Sequence, residues 1–204
     1  ARQVLERIGH LCDYILFDSA WVGYEQFIPM MRDCSPLLLE LGENDPGILV
    51  TQSVHKQQAG FSQASQIHKK DNHISGQARY VNHKRFNNSF MMHVSTSPFY
   101  PLFASLDVNA KMHEGKAGQR MWHECVIGGI EARKMLLDTC TMILPFVPPT
   151  VDGQAWQDYD TETIAHDIRF FRFEAGARWH DFQHYADDQY FIDPCKLLLT
   201  TPGM

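Results

Sequence analysis

Long apolar runs are missing from this chain. No stretch approaches the roughly 18 residues that a membrane-spanning helix requires, and the opening residues read as a helix rather than as a secretory leader. Paired cysteines are missing too. The five present (Cys12, Cys34, Cys125, Cys140, Cys195) are odd in number, widely spaced and never arranged C-x-x-C. That pattern fits reduced thiols in a cytoplasmic protein better than a disulfide framework. Positive charge is in short supply, with 18 Lys and Arg against 24 Asp and Glu, so no general affinity for nucleic acid is expected. The 11 histidines occur without H-E-x-x-H or close Cys/His spacing, so a metal is not expected either. Internal repeats and low-complexity tracts are absent.

What is present suits a globular α/β protein. The 204 residues can bury a core as one large domain or two small ones, with 44% hydrophobic and 21% charged residues. Residues 1–11 place Val4, Leu5, Ile8 and Leu11 at helical spacing, ending near Gly9-His10. Tyr14-Ile15-Leu16-Phe17 is a short continuous apolar run, the mark of a strand buried on both faces of a parallel sheet. A helical or irregular crossover follows through Tyr24 to Arg32. Gly47-Ile48-Leu49-Val50-Thr51 is a second such strand, introduced by the turn residues Asp45-Pro46-Gly47. Residues 66–88 read as a polar, basic loop, and Phe90 to Val94 as a third buried strand. Ser97 and Pro98 then have the chemistry of a helix start. A long helix is expected from about Gln119 to Cys140, with Trp122, Val126, Ile130 and Leu137 near one face. Pro145 to Pro149 reads as a hinge or loop, Ile168 to Phe173 as an alternating strand, and Cys195 to Thr200 as another. The division falls near residue 116. Both ends read as cut within an element, so the chain is expected to be part of a longer protein.

One cluster carries chemistry. Lys56 follows the second strand directly, among Ser53, His55 and several amides. In open parallel sheets ligands bind beyond the carboxyl ends of strands, and Asp18 ends the first strand 38 residues earlier. A desolvated lysine can condense with an aldehyde, which is how pyridoxal 5'-phosphate is held, and a carboxylate can keep that cofactor's ring nitrogen protonated. Ser53 and His55, with backbone N–H groups at the following helix start, could bind the phosphate. Ala20 and Trp21 could pack against the ring. Plainer readings stand beside each: Lys56 as a solvated charge, Asp18-Ser19 as a helix cap, Trp21 as core, and His55 as a satisfied polar residue.

The sequence resembles a known family at these same residues. Thr51 to Ser65 (Thr-x-Ser-x-His-Lys, two free positions, Ala-Gly-Phe-Ser-Gln-Ala-Ser) resembles, at every position, the cofactor-attachment signature of the bacterial-type ornithine/lysine/arginine decarboxylases. Phe17-Asp18-Ser19-Ala20-Trp21 matches that family's aspartate segment. Met91 to Pro98 and Asp193-Pro194-x-Lys196…Thr200-Thr201-Pro202-Gly203 look like two further family stretches. Gly23 to Phe27 and Phe99 to Leu106 are most like the ornithine-specific members.

The resemblance implies an aspartate-aminotransferase-like fold (fold type I of the pyridoxal phosphate enzymes). Residues 1–115 would be the latter part of its large cofactor domain and 116–204 part of a smaller α+β domain. Lys56 would carry the cofactor, Asp18 would pair with its ring nitrogen, and Ser53 and His55 would lie at its phosphate. Ser95 would reach the phosphate of a neighbouring subunit, giving a homodimer with a shared site, and higher assembly in the full-length protein. The implied reaction is decarboxylation of L-ornithine to putrescine and carbon dioxide; lysine or arginine decarboxylation, or a non-catalytic regulatory or assembly role, are the alternatives. Family members are several times longer than this chain. The stretch by itself is therefore expected to bind cofactor poorly and to turn over little or nothing.

Overall fold

Side chains alternate across a strand, and this alone decides how much of each apolar run is hidden. In the structure, a computed structural model that describes residues 1–180, 182–185 and 189–201, the first run is strand β1 (Tyr14–Asp18) and the second is β2 (Gly47–Gln52). They pair in parallel, as expected, from Tyr14↔Gly47 to Asp18↔Thr51. Ile15, Ile48 and Val50 form the core of the sheet, with Cys12, Phe17, Leu37 and Leu41 packed on it. The expected burial on both faces is not observed. Leu16 points to the opposite face and stays 61% exposed.

The chain divides into two compact units, Ala1–Gly118 and Gln119–Met204. The first opens with helix α1 (Arg2–Ile8) and a single 3-10 turn at Gly9–Leu11. The crossover from β1 to β2 is a series of 3-10 turns at Glu25–Phe27, Pro29–Cys34 and Pro36–Leu38, two of them started by proline. It buries Tyr24, Ile28, Met31 and Leu39. Gly47 begins β2 because nothing larger fits: a Cβ there would lie 2.2 Å from Tyr14 Cε1.

Past β2 come a one-turn helix, α2 (Val54–Gln57), and then strand β3 (Gln66–Lys70), antiparallel to β2 with Thr51↔Ile67 and Gln52↔Gln66 opposite one another. The reading of 66–88 as loop therefore fails in part. Two basic residues of that stretch serve the fold: Lys70 Nζ donates to the carbonyls of Leu37 (2.8 Å) and Leu39 (2.5 Å), and Arg79 Nη2 to that of Glu43 (2.8 Å). The expected strand at 90–94 is also absent. Asn82 accepts a bond from Arg85 N at 2.9 Å and caps helix α3 (His83–Met91), which runs on through Phe90 and Met91. Local capping outweighs the apolar run. Helix α4 (Tyr100–Met112) begins later than Ser97-Pro98 suggested, with Pro101 in its first turn.

In the second unit the long helix α5 (Lys116–Thr139) buries Trp122, Val126 and Ile130, the expected stripe, with Leu137 half-buried. The buried guanidinium of Arg133 donates to the carbonyls of Pro194 (3.0 Å) and Lys196 (2.5 Å), fixing the Asp193–Lys196 turn. Short pairs link β4 (Leu144–Pro145) to β7 (Leu199–Thr200) and β5 (Thr150–Val151) to β6 (Gln154–Ala155). Only the end of the strand expected at 195–200 is therefore formed. Helix α6 (Thr161–His166) precedes a 3-10 turn, Ile168–Phe171, where a strand was expected. Alternation would separate Phe170 from Phe171. Both are buried instead, Phe171 edge-on to Trp156 and Phe170 edge-on to Tyr159, with Asp167 capping the turn through Arg169 N at 2.9 Å. Residues 202–204, part of one family-like stretch, lie outside the described residues. Among the described residues no helix is long and apolar enough to cross a membrane.

Candidate functional site

Parallel pairing brings the chain out of β1 and β2 at the same edge. Ser19 N donates to Thr51 O at 2.9 Å, carrying the ladder one step past Asp18. The segment that follows Asp18 is thereby tied to the one that precedes Lys56. Asp18 caps no helix: its Oδ1 accepts from Ala20 N at 3.0 Å and closes a local turn, while the carboxylate stays exposed at the strand end. Trp21, three residues on, is not core. It is 57% exposed, and the Lys56 ammonium sits over its ring 4.7 Å from the centroid. A cation so placed at an exposed site gains about 0.5–1 kcal/mol, enough to bias the side chain toward the Asp18 segment. Among the described residues Lys56 has no ion-pair partner.

Lys56 and His55 lie in α2, with Ser53 at its N-cap position. The Ser53 hydroxyl does not cap the helix, which leaves it for another partner. His55 bonds twice to one carbonyl, its backbone N at 3.2 Å and its Nδ1 at 2.8 Å from Ala64 O. A carbonyl only accepts, so Nδ1 carries the proton and Nε2 is the edge of the ring left for another partner. Beside Lys56, the buried Gln57 Oε1 has no hydrogen-bond partner.

The loop after the lysine is held from a distance. Ala59 N donates to Asn109 Oδ1 at 3.0 Å and Phe61 N to Ser105 Oγ at 3.0 Å, while Asn109 Nδ2 donates to Gln58 Oε1 at 3.2 Å. Ser105 and Asn109 are buried one turn apart on α4. Gly60 must lack a side chain, since a Cβ would lie 2.8 Å from Val54 Cγ1. The sequence reading missed this clamp. Its signal was a pair of uncharged polar residues four apart on one face of the helix. Also missed was a polar group at the end of β2, where buried Gln52 Oε1 accepts from Gln66 Nε2 (2.9 Å) and His68 Nε2 (3.0 Å). Burial pushes the His68 imidazole below its ordinary pKa, which keeps it a neutral donor.

The structure thus gathers Asp18, Ala20, Trp21, Ser53, His55 and Lys56 at one sheet edge. Ser95 is apart, exposed on the irregular segment between α3 and α4, where its hydroxyl accepts a local bond from Ser97 N at 3.4 Å. An amine with no carboxylate partner, an outward carboxylate, an aromatic face, a free hydroxyl and an imidazole edge make a donor set that fits a phosphorylated aldehyde with a basic ring nitrogen.

The family model described as "Orn/Lys/Arg decarboxylase, major domain" matches residues 1–204. The ornithine decarboxylase of Haemophilus influenzae and the inducible ornithine decarboxylase of Escherichia coli are each 74% identical over 100% of this chain and 28% of their own length. Among solved structures, lysine decarboxylase A from Pseudomonas aeruginosa superposes with a TM-score of 0.80 at 32% identity, over 100% of this chain and 26% of that one. The chain spans a little over a quarter of the length of these relatives, and the superposition gives it an α/β decarboxylase fold.

Proposed function

We propose, from the premise that this chain belongs to the Orn/Lys/Arg decarboxylase family, that the whole protein removes carbon dioxide from L-ornithine to leave putrescine, using pyridoxal 5'-phosphate. The observation that carries this reading is the exit of Asp18 and Lys56 at one edge of a parallel strand pair, with the Lys56 ammonium over the ring of Trp21 in the segment after Asp18. Ornithine is preferred to lysine because identity is 74% to the ornithine decarboxylases and 32% to the lysine decarboxylase that shares the fold.

The cofactor, when bound, supplies an electron sink for the bond to the departing carboxylate. Lys56 offers the amine that attaches it and later takes part in releasing product. Asp18, oriented by Ala20 N, holds a proton on the ring nitrogen. The Ser53 hydroxyl and His55 Nε2 are assigned to the phosphate, and Ala20 with Trp21 to the ring's surroundings. The Ser105–Asn109 clamp fixes the loop behind Lys56, so that the amine approaches from one direction. Ser95, exposed and apart from the cluster, is assigned to the site of a second copy, which makes the working unit a homodimer. The finer architecture that accommodates this is aspartate-aminotransferase-like, and all the assigned residues lie within 1–115.

The test is made on the full-length protein. Borohydride reduction with cofactor present, followed by mass mapping, should mark Lys56, and chromatography of products from the three amino acids should show putrescine in excess. Label on a different lysine, or cadaverine or agmatine as the main product, would overturn the assignment.

A further inference from the structure

The second unit carries a group that the chemistry above does not use. His123 stands on α5; Glu162 and His166 stand one turn apart on α6. His123 Nε2 is 3.3 Å from Glu162 Oε1, the two imidazole rings are 5.5 Å apart between centroids, and one ligand atom from each of the three residues lies within 4.8 Å of the others. We propose that these three side chains form a binding site for a divalent transition-metal ion of the zinc type.

Two imidazoles and one carboxylate are the donors such ions take, with a further position left for water. Metal–ligand bonds of about 2.0–2.2 Å in a tetrahedron put ligand atoms roughly 3.4 Å apart. The His123–Glu162 pair already has that spacing, and the exposed His166 ring stands beside the same carboxylate, its Nδ1 3.6 Å from Glu162 Oε2. His166 Nδ1 donates to Glu162 O at 2.8 Å, which fixes the tautomer and leaves Nε2 its lone pair, the usual outer support of a ligating histidine. The frame is held independently of any ion. Lys134 Nζ donates to Tyr159 O (2.6 Å) and Thr161 Oγ1 (3.1 Å), Thr161 bonds to Glu131, and Asp160 caps α6 through Thr163 N at 3.1 Å. Ile164 and Ala165 bury the inner face of the same helix. An exposed His–Glu pair alone contributes little. Two histidines converging on one carboxylate across two pinned helices are better matched to a cation. The sequence hid this set because its members are 39 and 43 residues apart.

Zinc chloride alone, titrated into the metal-stripped full-length protein against a chromophoric chelator, should show one equivalent per chain that is lost or weakened about tenfold in His123→Ala, His166→Ala and Glu162→Gln. Magnesium should not compete. Because an alanine variant could fail to fold, cobalt spectra of the native protein and of His166→Cys provide a second readout, and a thiolate-to-cobalt absorption should appear only in the variant. Zinc bound with equal stoichiometry and equal affinity in native and variant proteins, no bound zinc in the native protein, or no thiolate band in His166→Cys would each overturn the site.

Discussion

The same two strands end in opposite ways. At their amino ends the charges are closed in. Tyr14 OH donates to Asp71 Oδ2 at 2.7 Å and accepts from Val81 N at 2.9 Å, Lys69 pairs with the same carboxylate, and Lys69 also sits over the Tyr80 ring at 4.8 Å. Asp71 is only 4% exposed. At their carboxyl ends an amine and a carboxylate stand outward, held by a backbone turn and an aromatic face rather than by opposite charge. A buried charge without a partner costs several kcal/mol, so charges at the first end must be matched. At the second end, on the function proposed above, matching would occupy the groups the cofactor needs. One end closes its charges into the sheet; the other leaves them exposed.

The sharpest break of this contrast is to exchange the two ends' fates by mutation. Lys56→Ala in the full-length protein should abolish cofactor attachment and putrescine formation. Hydrogen exchange at the Ile15, Ile48 and Val50 amides should change by less than about 1 kcal/mol, the worth of an exposed cation–π contact. Asp71→Ala should do the reverse in kind. It leaves Lys69 and the Tyr14 hydroxyl without their partner and should lower protection of those amides by roughly 3–5 kcal/mol. Equal loss of protection in both variants would dissolve the distinction.

A smaller effect comes from alkaline titration. Burial, reinforced by the bond to Asp71 and partly offset by that from Val81 N, pushes the Tyr14 phenol up to about 12 from 10.0. The folded chain therefore holds this proton where the unfolded chain has released it. Its contribution is fully present below pH 10 and is lost as pH rises toward about 12. The fall in unfolding midpoint over that range should be less steep in Tyr14→Phe. The smallest change expected is at Trp21. Trp21→Ala should weaken cofactor binding by about fivefold, near 1 kcal/mol, with strand protection unchanged. An effect as large as that of Lys56→Ala would mean that Trp21 shapes the sheet edge itself.

Much of the candidate site was legible before the fold was known. Asp18 and Lys56 could be placed at one edge because two continuous apolar runs separated by a crossover predict parallel pairing, and the register of β1 on β2 agrees. Trp21 was not legible as a cation's platform. Its exposure depends on how the turn after Asp18 leaves the sheet, and apolar content alone favours core. The strand predicted at 90–94 became the end of a helix because Asn82, eight residues upstream of Phe90, caps it. The turn at 168–171 replaced a strand because Phe170 and Phe171 each found a separate aromatic neighbour.

Residue type and short-range order by themselves settled where the strands β1 and β2 run, where α5 buries its stripe, and that Asp18 and Lys56 follow strands leaving the sheet on the same side. These follow from periodicity and from the chemistry of adjacent residues, which act within a few positions of the chain. Tertiary structure alone decided that β3 closes the sheet, that Ser105 and Asn109 grip the loop behind Lys56, and that His123 meets Glu162 and His166. Each depends on groups that are distant in sequence and are brought within bonding reach only when burial of the core fixes the elements that carry them.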